Sequence, residues 1–168
     1  MKNSNQNSAL LAWCAGLALC IPFAVNASEI VVQAEQFSYV EGDFADGQPK
    51  PISTYSVKGT KAINYVNRGD YAGYTIEVPE SGDYTVTYFA GTDMDSGTGI
   101  SLQIEQDGVW KTYATASVPK SGWDNFKPIS SNEKIPLPKG EQKIRILASG
   151  TNDWQWNLSH FNLAKVAD

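Results

Sequence analysis

Apolar and polar residues alternate in short runs along most of this chain, and no long window repeats every 3.6 residues. Tyr71–Val78 (YAGYTIEV) and Asp83–Phe89 (DYTVTYF) are rich in β-branched and aromatic residues, and Pro79 with Ser81-Gly82 marks a turn between them. Ile100–Glu105 sets Ile, Leu and Ile against polar neighbours. Asp107-Gly108 then predicts a tight hairpin, because both turn positions must accept positive φ, with Val109–Ala114 as the returning strand. Ile30–Ala34, Phe126–Ile129, Lys143–Ala148 and Gln155–Leu163 read as further strands. Pro136 and Pro138 are expected to break the chain before a turn at Lys139-Gly140. Many short strands without a helical period predict an all-β sandwich or barrel.

The first residues follow a different pattern. Lys2 precedes an apolar run, Ala9–Val25, and the small Ala27 is followed by polar Ser28-Glu29. That is the layout of a secretory signal peptide cleaved after Ala27. A retained anchor is the alternative, but the run is short for a span and Pro22 interrupts it. A lipid on Cys20 is disfavoured by the bulky Leu19 before it. Ser28–Asp168 is then one domain with room for a single core. Both cysteines, Cys14 and Cys20, leave with the first segment, so the exported domain is expected to stand on its core without disulfides. The whole chain has 13 basic and 18 acidic residues, a formal charge of −5, and cleavage removes only Lys2. An acidic surface argues against nucleic acid and strongly anionic polysaccharides and suits neutral glycans. After cleavage no membrane partner is expected, and the domain is expected to be a monomer.

Groups for covalent chemistry are sparse. His160 is the single histidine, and its setting (NLSHFNL) suits a packed structural imidazole better than a general base. Neither zinc-ligand spacing nor a glycine-rich phosphate loop is present. Paired carboxylates remain as a route to a small glycoside hydrolase or lyase. Glu35, Asp43, Asp93, Asp95 and Asp124 are candidates, though any acidic domain offers as many.

Aromatic residues carry more information. Trp110, Trp123, Trp154 and Trp156 follow Ser28, with Tyr65, Tyr71 and Tyr74 in the first half. A sandwich of this size needs few large core aromatics, so some are surplus. Trp123 lies in the polar stretch KSGWDN and Trp154 in SGTNDW, which read as loops where a tryptophan serves binding. The alternative is an indole folded back over the core edge. A pyranose has an apolar C–H face that flat rings cover, and a hydroxyl rim that amides and carboxylates bond. Asp124 and Asn125 stand beside Trp123, and Asn157 stands near Trp154.

Four segments together resemble family 6 of the carbohydrate-binding modules. They are Val32–Phe37 (VQAEQF), Ile63–Tyr71 (INYVNRGDY), Gly122–Phe126 (GWDNF) and Trp154–Leu158 (WQWNL), in the family's order and spacing. The resemblance implies a jelly-roll β-sandwich of two antiparallel sheets with a sugar cleft in the loops at one end. It implies that Tyr65 and Trp123 flank one sugar ring and that Asn157 bonds it from the cleft floor. The stretches Val118–Phe126 and Trp154–Asn157 are similar to modules attached to marine bacterial agarases, which adds Asn64, Trp154 and Asp124 as sugar contacts and agar-type galactan as partner. Trp156 is expected to face the core unless the strand is regular from Asp153 onward. The family also implies a structural Ca2+ where the first and last strands meet. Gln33 and Glu35, two apart and so on one strand face, would supply oxygen ligands, while Ser159 replaces an acid common in related last strands. Xylan or β-glucan binding, paired-carboxylate catalysis and a structural sandwich lacking a sugar site are the competing readings. The last predicts Tyr65, Trp123 and Trp154 buried apart from one another.

Overall fold

The computed structural model describes residues 29–42 and 51–167. The segment up to Ala27, with both cysteines, and the candidate Asp43 lie outside the described residues. Among the described residues eleven strands form two antiparallel sheets. They are β1 (Glu29–Gln33), β2 (Tyr39–Glu41), β3 (Ser53–Val57), β4 (Thr60–Asn64), β5 (Tyr71–Val78), β6 (Gly82–Gly91), β7 (Gly99–Gln106), β8 (Val109–Ser117), β9 (Lys127–Leu137), β10 (Gly140–Ala148) and β11 (Asn157–Lys165). One sheet runs β3-β4-β11-β6-β9, with β1 also paired to β11, and the other runs β2-β5-β10-β7-β8. The one helical element among the described residues is a 3-10 turn, Ala34–Gln36. None of these elements is a helix long and apolar enough to cross a membrane.

All the strands read from alternation are present. Asp107 and Gly108 both have positive φ, 53° and 76°, as the β7–β8 hairpin requires. β2, β3 and β4 escaped the pattern because they are short and half polar. One expectation is corrected: Pro136 does not break the chain. β9 runs through it to Leu137, pairing Asp83 with Pro136, because β9 is the outer strand of its sheet and a missing N–H there breaks no ladder.

The inward faces meet in one core. Tyr74, Ile144, Ile146 and Leu102 from one sheet face Tyr88, Leu158, Phe161 and Leu163 from the other. Tyr74 and Phe161 pack edge to face across it at 5.3 Å. Leu158 and Phe161 are three apart yet both buried, which requires the bulge between Leu158 and His160 in β11. His160 lies outside the core, stacked on Phe89 at 4.0 Å, with Nδ1 2.9 Å from Ser159 Oγ. Burial lowers its pKa below the ordinary 6.5, against a smaller opposing pull from Glu29. It is the packed imidazole that its setting suggested. On the outer face of the second sheet, Arg145 lies between Tyr71 at 4.2 Å and Trp110 at 4.5 Å, so these two surplus aromatics stack on a cation.

Candidate functional site

The ends of β4, β6, β8 and β10 and the start of β11 converge at one rim of the sandwich. Chain folding at that rim is held by local backbone chemistry. Asn157 opens β11 opposite Gly91, the last residue of β6. A side chain at Gly91 would come 2.4 Å from the Gly122 carbonyl, so only glycine lets the 120–125 loop lie over this strand pair. Ser121 and Gly122 N–H then donate to Thr92 O at 2.9 and 3.0 Å, which turns Trp123 inward over the rim.

The Tyr65 loop is fastened to the other side. Tyr65 takes φ 57°, a left-handed conformation unusual for a tyrosine, immediately after β4. The next residues zip along the chain before β11. Gln155 N–H donates to Val66 O at 3.0 Å, Asn67 bridges Trp154, and Arg68 N–H donates to Asp153 O at 3.0 Å. Buried Asp70 accepts from Asn67 N–H at 2.9 Å and closes the turn. The Arg68–Asp153 ion pair at 3.1 Å is exposed and adds little by itself.

Between these loops lies a cleft of about 410 Å³, lined by Asn64, Tyr65, Val66, Met94, Trp123, Trp154 and Asn157. That volume lies in the range of about 300–1,000 Å³ typical of small-ligand sites. Tyr65 is 42% exposed, and its ring stands 6.4 Å from that of Trp154 at 59°. Trp123 and Trp154 are half-buried. Asn157 is nearly buried at the floor, its Nδ2 donating to Tyr55 Oη at 3.0 Å and to Trp123 O at 3.1 Å. Asn64 Oδ1 is buried without a hydrogen-bond partner. A structural sandwich with these aromatics buried apart does not match this arrangement.

Of the six residues expected to touch sugar, Asn64, Tyr65, Trp123, Trp154 and Asn157 line one cleft. Asp124 is not among the lining residues; its Oδ1 accepts the Tyr55 hydroxyl at 2.8 Å. Trp156 turns away from Trp154 as anticipated. It is 1% exposed and donates from Nε1 to Gly99 O at 2.9 Å, and β11 begins only after it. Sequence reading missed Tyr55, Val66 and Met94. Tyr55 lies in β3, a strand that the alternation did not reveal, and nothing near it in the chain points to Asn157.

Of the other acidic candidates, Glu35, Asp93 and Asp95 are not among the residues that line this cleft. Asp95 is exposed and bonded to Lys120 at 2.8 Å, which holds its carboxyl below the ordinary range. Gln33 ends β1, but Glu35 sits inside the 3-10 turn, so strand alternation does not put them on one face. Glu35 Oε2 is nevertheless buried without a hydrogen-bond partner, an orphaned oxygen that suits a cation. Among the described residues no three His, Cys, Asp or Glu gather in one group.

A β-sandwich with an aromatic cleft in its rim loops and amides at the cleft floor is a glycan-binding protein in form. The model of the family described as carbohydrate binding module (family 6) matches residues 34–165. The chain belongs to that family: it is a non-catalytic module that binds polysaccharide or oligosaccharide. It is 47% identical over 151 residues to the beta-agarase AgaO of Microbulbifer thermotolerans, covering 90% of this chain and 13% of that enzyme. It is 42% identical over 143 residues to an alpha-agarase of Thalassotalea agarivorans, covering 85% of this chain and 10% of that enzyme. The chain therefore spans only about a tenth of these relatives. Among solved structures, it is similar to the module CBM6cm-2 from Cellvibrio mixtus lichenase 5A in complex with cellotriose. That match has a TM-score of 0.60 and 25% identity, over 82% of this chain and 98% of that one.

Proposed function

We propose that the module binds agar-type neutral galactan in the rim cleft and brings an attached enzyme, or the cell, to that polymer. The observation that carries the polymer class is the 47% and 42% identity to segments of two agarases over nearly the whole chain. The cleft supports the mode. Tyr65 and Trp123 would flank a sugar ring, Trp154 would extend the apolar wall, and Asn64 and Asn157 would bond hydroxyls. An acidic chain suits a neutral polymer. Export with cleavage after Ala27 fits this role; the mass of the product from a secreting host reads it.

A pull-down of the mature domain on agarose, xylan and cellulose tests the proposal. Retention on agarose, relieved by a galactose-rich oligosaccharide, is expected. Retention on xylan or cellulose alone would transfer the cleft to another glycan. The similarity to a cellotriose-bound module makes β-glucan the second reading.

Gln33 and Glu35 would serve as oxygen ligands of a structural Ca2+, neutralising the orphaned Glu35 oxygen and tying the end of β1 to the sandwich. Its contribution would be to stability. A chelator is expected to lower the melting temperature and Ca2+ to restore it, with Glu35→Gln insensitive to both. An unchanged melting curve in chelator would remove the metal.

A further inference from the structure

The cleft floor is connected to a polar chain outside it. Asp124 Oδ1 accepts from Tyr55 Oη–H at 2.8 Å, Tyr55 Oη accepts from Asn157 Nδ2 at 3.0 Å, and the same Nδ2 donates to Trp123 O at 3.1 Å. The three side chains come from β3, the β8–β9 loop and the first position of β11.

Both ends of this chain can only accept. An ionised carboxylate has no proton to give, and neither does a backbone carbonyl. The Tyr55 O–H therefore points to Asp124, which leaves only lone pairs on the hydroxyl to face Asn157. Burial, reinforced by the bond to Asp124, pushes the Tyr55 pKa well above 10, so the phenol keeps that proton. The amide group of Asn157 that faces Tyr55 and Trp123 O must then be its nitrogen. Turning the amide over would set Oδ1 against two acceptors. Both amide hydrogens are used. Oδ1 receives no hydrogen bond among the described residues and is not sealed from solvent.

We infer that Tyr55 and Asp124 are positioning residues that lock the Asn157 amide in one sense, so that Asn157 can offer the cleft only a hydrogen-bond acceptor. A bound sugar must then bring a free hydroxyl as donor to this point. An O-methylated or anhydro position cannot serve, because its oxygen would meet Oδ1 without a proton between them. This selection would act through Asn157, with neither Tyr55 nor Asp124 touching the ligand. It rests on the rim cleft being the sugar site.

A double-mutant cycle tests the coupling. Affinity for an agarose-derived tetrasaccharide is measured by calorimetry for the parent domain, Tyr55→Phe, Asn157→Ala and the double variant. Tyr55→Phe is expected to weaken binding about five- to tenfold in the parent. In the Asn157→Ala background it should change affinity less than about twofold. Asp124→Ala should behave like Tyr55→Phe, and Asp124→Asn, which keeps an acceptor oxygen, should recover most of the affinity. Equal losses in both backgrounds, or no loss in the parent, would overturn the inference.

A second readout needs no ligand. The Asn157 side-chain amide protons should exchange slowly by NMR in the parent and faster in Tyr55→Phe. Equal exchange would also overturn the inference. If the parent ignores the agarose tetrasaccharide but binds another, the galactan reading fails alone, and the cycle is run with the sugar that binds. If it binds none, the cleft reading fails, while the exchange measurement still reports on the amide lock.

Discussion

Trp123→Ala is expected to weaken glycan binding by about 2–4 kcal/mol, a loss of roughly 30- to 700-fold, with little change in melting temperature. The two halves of that expectation have different causes. The Trp123 ring lines the cleft from a loop and is only half-buried, so its removal strips the stacking surface without opening the core. Its structural contact is made by the backbone carbonyl, which accepts from Asn157 Nδ2, and alanine keeps that carbonyl. Calorimetry of binding beside differential scanning calorimetry separates the two effects. Unchanged affinity would place the sugar elsewhere on the molecule.

Trp156→Ala is expected to do the reverse of its neighbour two residues away. Trp156 is among the largest fully buried side chains, and its indole N–H satisfies Gly99 O under the rim. Truncation leaves a large cavity and removes one of the two hydrogen bonds to Gly99 O, which still accepts from Ser149 N–H at 2.9 Å, at a cost of about 3–5 kcal/mol. Against a total stability of about 5–15 kcal/mol this is severe, and the melting temperature should fall by roughly 10 °C or more. Trp154→Ala should melt close to the parent and lose affinity, because its ring meets Tyr65 at the cleft and not the core. A Trp156→Ala domain as stable as the parent, or a Trp154→Ala domain that unfolds, would reverse the assignment of the two rings.

That pair also marks where sequence reading stops. Trp154 and Trp156 share a parity, which in a regular strand would put both on one face. They diverge because the strand is not regular there. Trp154 makes an isolated bridge to Asn67, the Gln155 side chain accepts from the N–H groups of Gly99 and Gly150, and β11 starts at Asn157. The Gln155 contact to Gly99 joins residues 56 apart in the chain, so no local window contains it. Tyr55 and Asn157, 102 apart, were invisible for the same reason.

What the sequence determined alone was local. Alternation of apolar and polar residues specifies strands because side chains on a strand change face at every step. Asp107-Gly108 specifies a hairpin because few residues accept positive φ at two successive positions. Polar surroundings put Trp123 and Trp154 in loops, and the four ordered segments pointed to the family. The tertiary structure alone decided which distant groups meet. Sheet order made β9 an outer strand that tolerates Pro136, the β11 bulge kept Leu158 and Phe161 both inside, and the rim loops set Asp124 behind Tyr55. These depend on register and packing between segments far apart in the chain, and a hydrogen bond across such a distance leaves no periodic trace in either segment.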